Sequence, residues 1–146
     1  MNTSFGAILD KPASDIERPK PLPTGTYVCV VKGLPRYDKS SKKQTEFAEY
    51  TLQPLQAGDD VEEEALQEMG GIANRTIRAT YYITEDALWR LKKFIEDCGV
   101  EIEDGHSLRE YCEQLQGRQV LATIKHRASD DGQSVFAELA GTAQVS

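Results

Sequence analysis

Alternating apolar and polar residues predict five β-strands along the chain. The first, "TYVCVVK" at 26–32, has β-branched residues on both faces and is expected to be largely buried. The other four are "TEFAEYTLQPL" at 45–55, "RTIRATYYI" at 75–83, "RQVLATIKHR" at 118–127 and "QSVFAELAG" at 133–141. Glycine, proline and serine make 33–44 a loop, and "ASDDGQ" at 128–133 predicts a hairpin turn in which Gly132 supplies a positive φ.

A 3.6-residue period replaces the alternation in two segments. "EDALWRLKKFIEDCG" at 85–99 predicts a helix that Thr84 caps and Gly99 ends, with an apolar stripe of Leu88, Leu91, Ile95 and Cys98. "SLREYCEQLQG" at 107–117 predicts a shorter helix that begins with a capping box of Ser107 and Glu110. The acidic stretch at 58–71 fits either a short amphipathic helix or a solvated loop.

The order of these elements indicates a mainly β fold with a helical insert. Three strands, a helix and two more strands is the order of an OB-like five-stranded barrel, with the helix between strands three and four. An open five-stranded sheet with helices on one face would give the same order. Residues 1–24 are proline-rich near their end and predict an extended N-terminal arm, and 25–146 predict one OB-like domain with an acidic insert at 56–74.

Charge is distributed unevenly in this chain. The net charge is −7, and the segment 56–74 holds six acidic residues and no basic one. Within 31–43, by contrast, five basic residues accompany Asp38 alone. Because charges act over a Debye length of roughly 8 to 10 Å, local charge rather than the total decides what a ligand meets.

Composition excludes several other classes of protein. The 146 residues contain three cysteines, Cys29, Cys98 and Cys112, without the spacing of a zinc site or a disulfide framework, so they are expected to be small buried apolar residues. No apolar run approaches the roughly 20 residues of a membrane span, and no leader is recognisable, which predicts a cytoplasmic protein. No nucleophile elbow, P-loop or HExxH motif is present, so we expect neither catalysis nor a metal or cofactor.

Basic and aromatic residues are interleaved on the predicted outward positions of the strands and on the first loop. Single-stranded nucleic acid binds to this combination, because bases stack on rings while cations neutralise phosphates. The candidate phosphate contacts are Lys32, Arg36, Lys39, Lys42, Lys43, Arg78, Lys125 and Arg127. The candidate stacking residues are Tyr37, Phe47, Tyr82 and Phe136.

Structural roles compete with this interpretation. Phe47 and Phe136 would be equally consistent with burial under a helix, and a charged loop such as "KSSKK" is commonly just a solvated loop. Trp89, beside the apolar helix stripe, is expected to pack rather than to stack on a base.

Three segments resemble a family of small phage-encoded proteins that are similar to single-stranded DNA-binding proteins: "PLPTGTYVCVVKG", "GGIANRTIRATYYITEDALWRLKKFIEDCGV" and "GRQVLATIKHRASDDGQSVFAELAG". The resemblance implies an OB-like barrel, a non-catalytic role in phage DNA replication or recombination, and a host cytoplasmic location. Single-stranded DNA, and phage replication or recombination proteins, would be the partners. A phage accessory or virion-associated protein-interaction module is the alternative, which the negative net charge favours. Oligomeric state and the choice between DNA and RNA stay open.

Overall fold

The computed structural model describes residues 20–145, and most of the predicted N-terminal arm, 1–19, lies outside this range. Within the described range the protein is mainly β, with six antiparallel strands in one sheet. They are β1 (Gly25–Val31), β2 (Arg36–Lys39), β3 (Glu46–Ala57), β4 (Ile77–Tyr82), β5 (Gln119–Ala128) and β6 (Val135–Ala143). All five predicted strands are confirmed, and β2 is additional.

The short strand β2 lies inside the segment that was predicted to be a loop. It pairs with the same strand, β3, as β1 does: Val31 lies opposite Leu52, and Arg36 lies opposite Glu49. Four residues, 32–35, therefore face only two, 50–51, which is an irregularity of the kind a bulge produces. The chain thus continues past β1 along β3, and only residues 40–45 form the turn that returns it.

Three short helices accompany the sheet within residues 20–145. They are α1 (Glu63–Glu68), α2 (Leu88–Asp97) and α3 (Arg109–Cys112). The acidic stretch therefore contains a helix, followed by Gly70 and Gly71 with positive φ. The predicted capping box of α3 is wrong, because Glu110 lies 2.6 Å from His106 Nδ1 and no side chain caps the helix. None of these helices is long and apolar enough to cross a bilayer, as far as the described residues extend.

Strand pairing places β3 and β1 at the centre of the sheet. β4 pairs with β3, β3 with β1, β1 with β5, and β5 with β6, all antiparallel. Between residues 20 and 145, β4 pairs only with β3 and β6 only with β5, so the sheet is open and the barrel closure expected from the sequence is not observed. A cleft of about 350 Å³ separates these two edges and is lined by Leu22, Thr76, Ile77, Arg78, Ala137, Glu138 and Leu139.

The core lies between the inward side of the strands and α2. Alternate residues of each central strand are buried, as the period of two predicts, and the stripe residues Leu91, Ile95 and Cys98 are buried too. Phe94 was not assigned to the stripe, yet its ring is completely buried, 5.0 Å from the centroid of Tyr50 and 4.8 Å from that of Tyr81. Aromatic rings of the sheet therefore contact an aromatic ring of α2 within this core.

The three cysteines are free and buried, which confirms their prediction as small core residues. Burial raises the pKa of Cys29 to about 12, and burial together with the nearby carboxylate of Asp97 raises that of Cys98 to about 12. Both therefore stay protonated thiols at neutral pH, and a thiol is a poor nucleophile compared with a thiolate.

Candidate nucleic-acid interface

The side of β2, β3 and β4 that faces away from the core carries four of the twelve candidate residues, and the turn between β2 and β3 adds two more. Because Ala48, Tyr50 and Leu52 are buried, Phe47, Glu49 and Thr51 lie on the opposite side of β3. We call this side the outer face. Strand register then places Asp38, Phe47 and Tyr82 in one row across the three strands, and Arg36, Glu49 and Thr80 in the next.

Phe47 and Tyr82 form an aromatic pair on the outer face. Their ring centroids are 6.2 Å apart and the planes are inclined by 75°, an edge-to-face arrangement. Tyr82 is 45% exposed and Phe47 is half-buried, so the prediction that Phe47 turns away from the core agrees with its position. The pair offers one open ring to solvent and a second ring that supports it.

Arg36 lies over the aromatic pair and is held by two carboxylates. Its guanidinium carbon is 5.3 Å from the centroid of the Phe47 ring. Arg36 Nη1 is 2.6 Å from Asp38 Oδ2, and Nη2 is 3.3 Å from Glu49 Oε1. Glu49 also accepts a hydrogen bond from the Thr80 hydroxyl, at 3.1 Å. A guanidinium group can contact a ring face while it pairs with anions, and Arg36 does both here.

Two lysines of the turn between β2 and β3 line a cleft beside Tyr82. The cleft measures about 570 Å³, and its walls are Ser40, Ser41, Lys42, Lys43, Thr45, Tyr82, Thr84 and Ala87. The turn is held by hydrogen bonds from Thr45 N to Ser40 Oγ (3.0 Å) and from Gln44 N to Ser40 O (3.0 Å). Ammonium and hydroxyl groups therefore stand next to an exposed aromatic ring.

Two other candidate cations belong to the outer face. Lys32 is exposed and follows the buried Val31, and its backbone N–H donates to Thr51 O at 2.8 Å. Arg78 is exposed on β4, directly opposite Thr51. Lys32 and Arg78 thus extend the basic character of this face beyond Glu49, in the direction away from the aromatic pair.

Tyr37 and Lys39 lie on the other side of β2, contrary to the grouping expected from the sequence. Tyr37 is opposite Ala48, whose side chain points into the core. Lys39 is two residues further along the strand and therefore lies on the same side as Tyr37. Partial burial, followed by its neighbours Cys112 and Glu113, raises the pKa of the Tyr37 hydroxyl. Tyr37 therefore approaches α3 and is not part of the aromatic pair, although half of its surface is exposed.

The last three candidate residues lie on the β5–β6 hairpin, around Glu138. Lys125 is directly opposite Glu138, and Arg127 is opposite Phe136. Arg127 Nε is 3.6 Å from Glu138 Oε2, and Arg78 lines the same cleft as Glu138. This second group of cations surrounds a carboxylate, whereas Lys42 and Lys43 adjoin the aromatic pair.

Three residues have surroundings that were not predicted from the sequence. Asp38 and Glu49 hold Arg36; alternation in 45–55 puts Glu49 on the side of Phe47, whereas Asp38 lies in the segment that was predicted to be a loop. Trp89 is 59% exposed rather than packed beside the stripe. Its position could have been found by extending the helical period over 88–98, which puts residue 89 half a turn away from Cys98.

No group of three or more metal-ligating side chains lies close enough together to hold a cation among residues 20–145. No model of a known protein family matches the chain, and no curated protein is significantly similar to it in sequence.

Proposed function

We propose that this protein binds single-stranded DNA without sequence preference, as a non-catalytic component of phage DNA replication or recombination. The observation that carries the proposal is the exposed ring of Tyr82, which is backed by Phe47 and adjoins the cleft lined by Lys42 and Lys43. A base stacked on Tyr82 would leave its phosphates within the field of these lysines. Stacking accepts every base, because each has a π-face.

The strand path supports an OB-type architecture for this proposal. The path β4–β3–β1–β5–β6, with α2 between β4 and β5 in sequence, is the connectivity of an OB barrel opened along β4 and β6. OB domains bind oligonucleotides on the face of their second and third strands, which here correspond to β3 and β4. The aromatic pair lies on this face.

The local charge outweighs the negative total in this mechanism. Lys32, Arg36, Lys42, Lys43 and Arg78 lie on the outer face or on the turn beside it. The six acidic residues of 56–74 belong to α1 and its flanks, a separate segment of the chain. Because exposed charges are screened within about 10 Å at 0.1 M salt, the outer face can attract a polyanion despite a net charge of −7.

Fluorescence anisotropy of a labelled oligothymidine tests the proposal directly. We expect saturable binding at low salt and a linear fall of log K with log salt concentration, with a slope of about −0.7 for each phosphate neutralised. A duplex of the same length serves as the control, because its bases are not available for stacking. Absence of binding at low salt would contradict the proposal.

Lys43→Ala should reduce the magnitude of this salt slope by about 0.7, since it removes one phosphate contact. Arg109→Ala is the matched control: it also removes one exposed positive charge, but near Tyr37 on the other side of β2. We expect Arg109→Ala to leave the slope unchanged. If both variants reduce the slope equally, overall charge and not the cleft sets the affinity.

Asp38→Asn should strengthen binding severalfold, because it releases Arg36 from its shorter ion pair. Exposed ion pairs contribute about 0.2 to 1 kcal/mol, so the expected gain in affinity is at most about fivefold. Glu46→Gln removes one negative charge from the same hairpin, opposite Lys39 at the far end of β2, and is the control. An equal gain in both variants would mean that Arg36 is not restrained by Asp38.

A protein-interaction module is the second candidate function. It is favoured by the exposed carboxylates of Glu62, Glu63 and Glu64 around the start of α1, which would suit a basic protein partner. The same titration separates the two functions, since a flat salt response or no DNA binding favours this second one.

A further inference from the structure

The outward side of α2 carries an exposed tryptophan. Leu91, Phe94 and Cys98 of the opposite side are buried, whereas Trp89 is 59% exposed, the largest exposed fraction of any aromatic residue in the described part of the chain. At 3.6 residues per turn, residue 89 points half a turn away from residue 98, so Trp89 lies at the middle of the solvent side. Its ring contributes little to the packing of α2 on the sheet.

One cation lies over this ring, and two more follow on the same side of α2. The guanidinium carbon of Arg90 is 5.4 Å from the centroid of the Trp89 ring. Lys92 and Lys93 lie three and four residues further on, which places them one turn along the same side of the helix. Lys93 is 2.6 Å from Asp97 Oδ2 and 2.7 Å from the Thr142 carbonyl oxygen, so it ties α2 to β6, whereas Arg90 and Lys92 are exposed. Trp89 therefore combines an exposed ring with an adjacent guanidinium group, as the outer face does.

Trp89 lies two residues along the chain from the wall of the cleft that contains Tyr82. Ala87 lines this cleft and is also the residue that precedes the first turn of α2. Two residues span at most about 7.6 Å between Cα atoms, so a strand that leaves the cleft past Ala87 meets α2 within one turn of Trp89. The hydrogen bond from Ala87 N to Thr84 Oγ1 (3.2 Å) helps to form the turn between β4 and α2 and so sets where α2 begins.

We propose that Trp89 is a second stacking platform, and that a bound single strand passes from the Phe47–Tyr82 pair through the Lys42–Lys43 cleft onto the start of α2. This inference rests on the proposed function and adds the direction of the strand. Arg90 and Lys92 would lie near the phosphates beyond the cleft. The exposed carboxylates of Glu85 and Asp86 lie in the intervening turn, so the phosphates must pass on the side of the lysines.

The alternative direction leads across β4 towards the β5–β6 hairpin. On that route the strand would meet Glu138, which lines the cleft beside Arg78 and pairs with Arg127. The carboxylate of Glu138 repels phosphate, and it already forms an ion pair with Arg127. The route over α2 offers the more exposed ring, since Trp89 is 59% exposed and Phe136 of the hairpin 40%, and we therefore favour it.

Tryptophan fluorescence tests this direction, because Trp89 is the single tryptophan of the chain. Titration with unlabelled oligothymidine should quench its emission with the same midpoint as the anisotropy of a labelled strand. Trp89→Ala should weaken binding about fivefold or more, the loss expected for one stacked base, and Trp89→Phe should weaken it less because a ring is retained. Leu55→Ala, at an exposed apolar residue of β3 remote from the cleft, is the control and should bind like the unmodified protein.

The outcomes separate this inference from the proposed function. If the protein binds DNA while its emission stays constant and Trp89→Ala binds normally, the path over α2 is wrong and the proposed function stands. If the unmodified protein does not bind, both are wrong.

Discussion

Tyr82→Ala should weaken the binding of oligothymidine about 5- to 150-fold, since base stacking on an aromatic side chain contributes about 1 to 3 kcal/mol. Tyr82 presents the open ring of the aromatic pair, with 45% of its surface exposed, and it lines the cleft with Lys42 and Lys43. The substitution deletes this ring without removing a charge. Anisotropy titrations at one fixed salt concentration measure the loss, because affinities at different salt concentrations are not comparable.

Tyr37→Ala is the matched control for this experiment. Tyr37 is also a strand tyrosine, with a similar exposed fraction of 50%, but its ring lies on the side of β2 that approaches α3. We expect Tyr37→Ala to retain the affinity of the unmodified protein. If both substitutions weaken binding equally, the outer face is not the binding surface.

Thermal unfolding must accompany these titrations. Tyr82 makes an edge-to-face contact with Phe47, and such contacts contribute about 0.5 to 1.5 kcal/mol. For a chain of this length that corresponds to a fall in Tm of about 1 to 6 °C. Tyr82→Ala therefore stays folded at the temperature of the binding experiment, and its lower affinity reports the loss of stacking.

Phe94→Ala should destabilise the folded protein by about 3 to 5 kcal/mol, the largest stability change that we expect from a single substitution. The ring of Phe94 is completely buried and contacts the rings of Tyr50 and Tyr81. Its removal leaves a cavity between α2 and the sheet that the β-strands cannot close. Because domains are typically stable by about 5 to 15 kcal/mol, at least about a fifth of the stability would be lost.

Urea unfolding checks this prediction through the midpoint and the slope of the transition. Trp89→Ala is the control, because it deletes a larger ring from the same helix at an exposed position, where substitutions usually change stability by about 0.5 kcal/mol or less. A loss of less than 1 kcal/mol for Phe94→Ala, or an equal loss for both variants, would mean that α2 does not pack on the sheet through Phe94.

The pattern of buried residues in strands and helices could be predicted from the local sequence. The alternation in 45–55 placed Ala48, Tyr50 and Leu52 in the core and turned Phe47 outward, and the structure agrees. The helical stripe of 85–99 likewise predicted the burial of Leu91 and Ile95. These features follow from backbone geometry, because side chains repeat every 2.0 residues in a strand and every 3.6 in a helix.

The side of the sheet on which the residues after an irregular segment lie could not be predicted in the same way. Residues 32–35 have twice as many positions as the segment of β3 that they face, and β2 resumes pairing after them. A shift of one residue moves a side chain to the opposite face, so the side on which Tyr37 lies depends on the number of bulged residues. Turn composition identifies such a segment as irregular but does not count its bulged positions.

The periodicity of the chain thus specified which residues form strands, which form helices and which side of each element is buried, since these depend on near neighbours. Contacts between distant segments required the folded chain: the meeting of Phe47 with Tyr82, the approach of Lys42 and Lys43 to the same cleft, and the open edges of β4 and β6. They depend on strand register and on how many hydrogen-bonded pairs each edge can form. Both quantities are set by the packing of the whole sheet against α2, and no single segment encodes them.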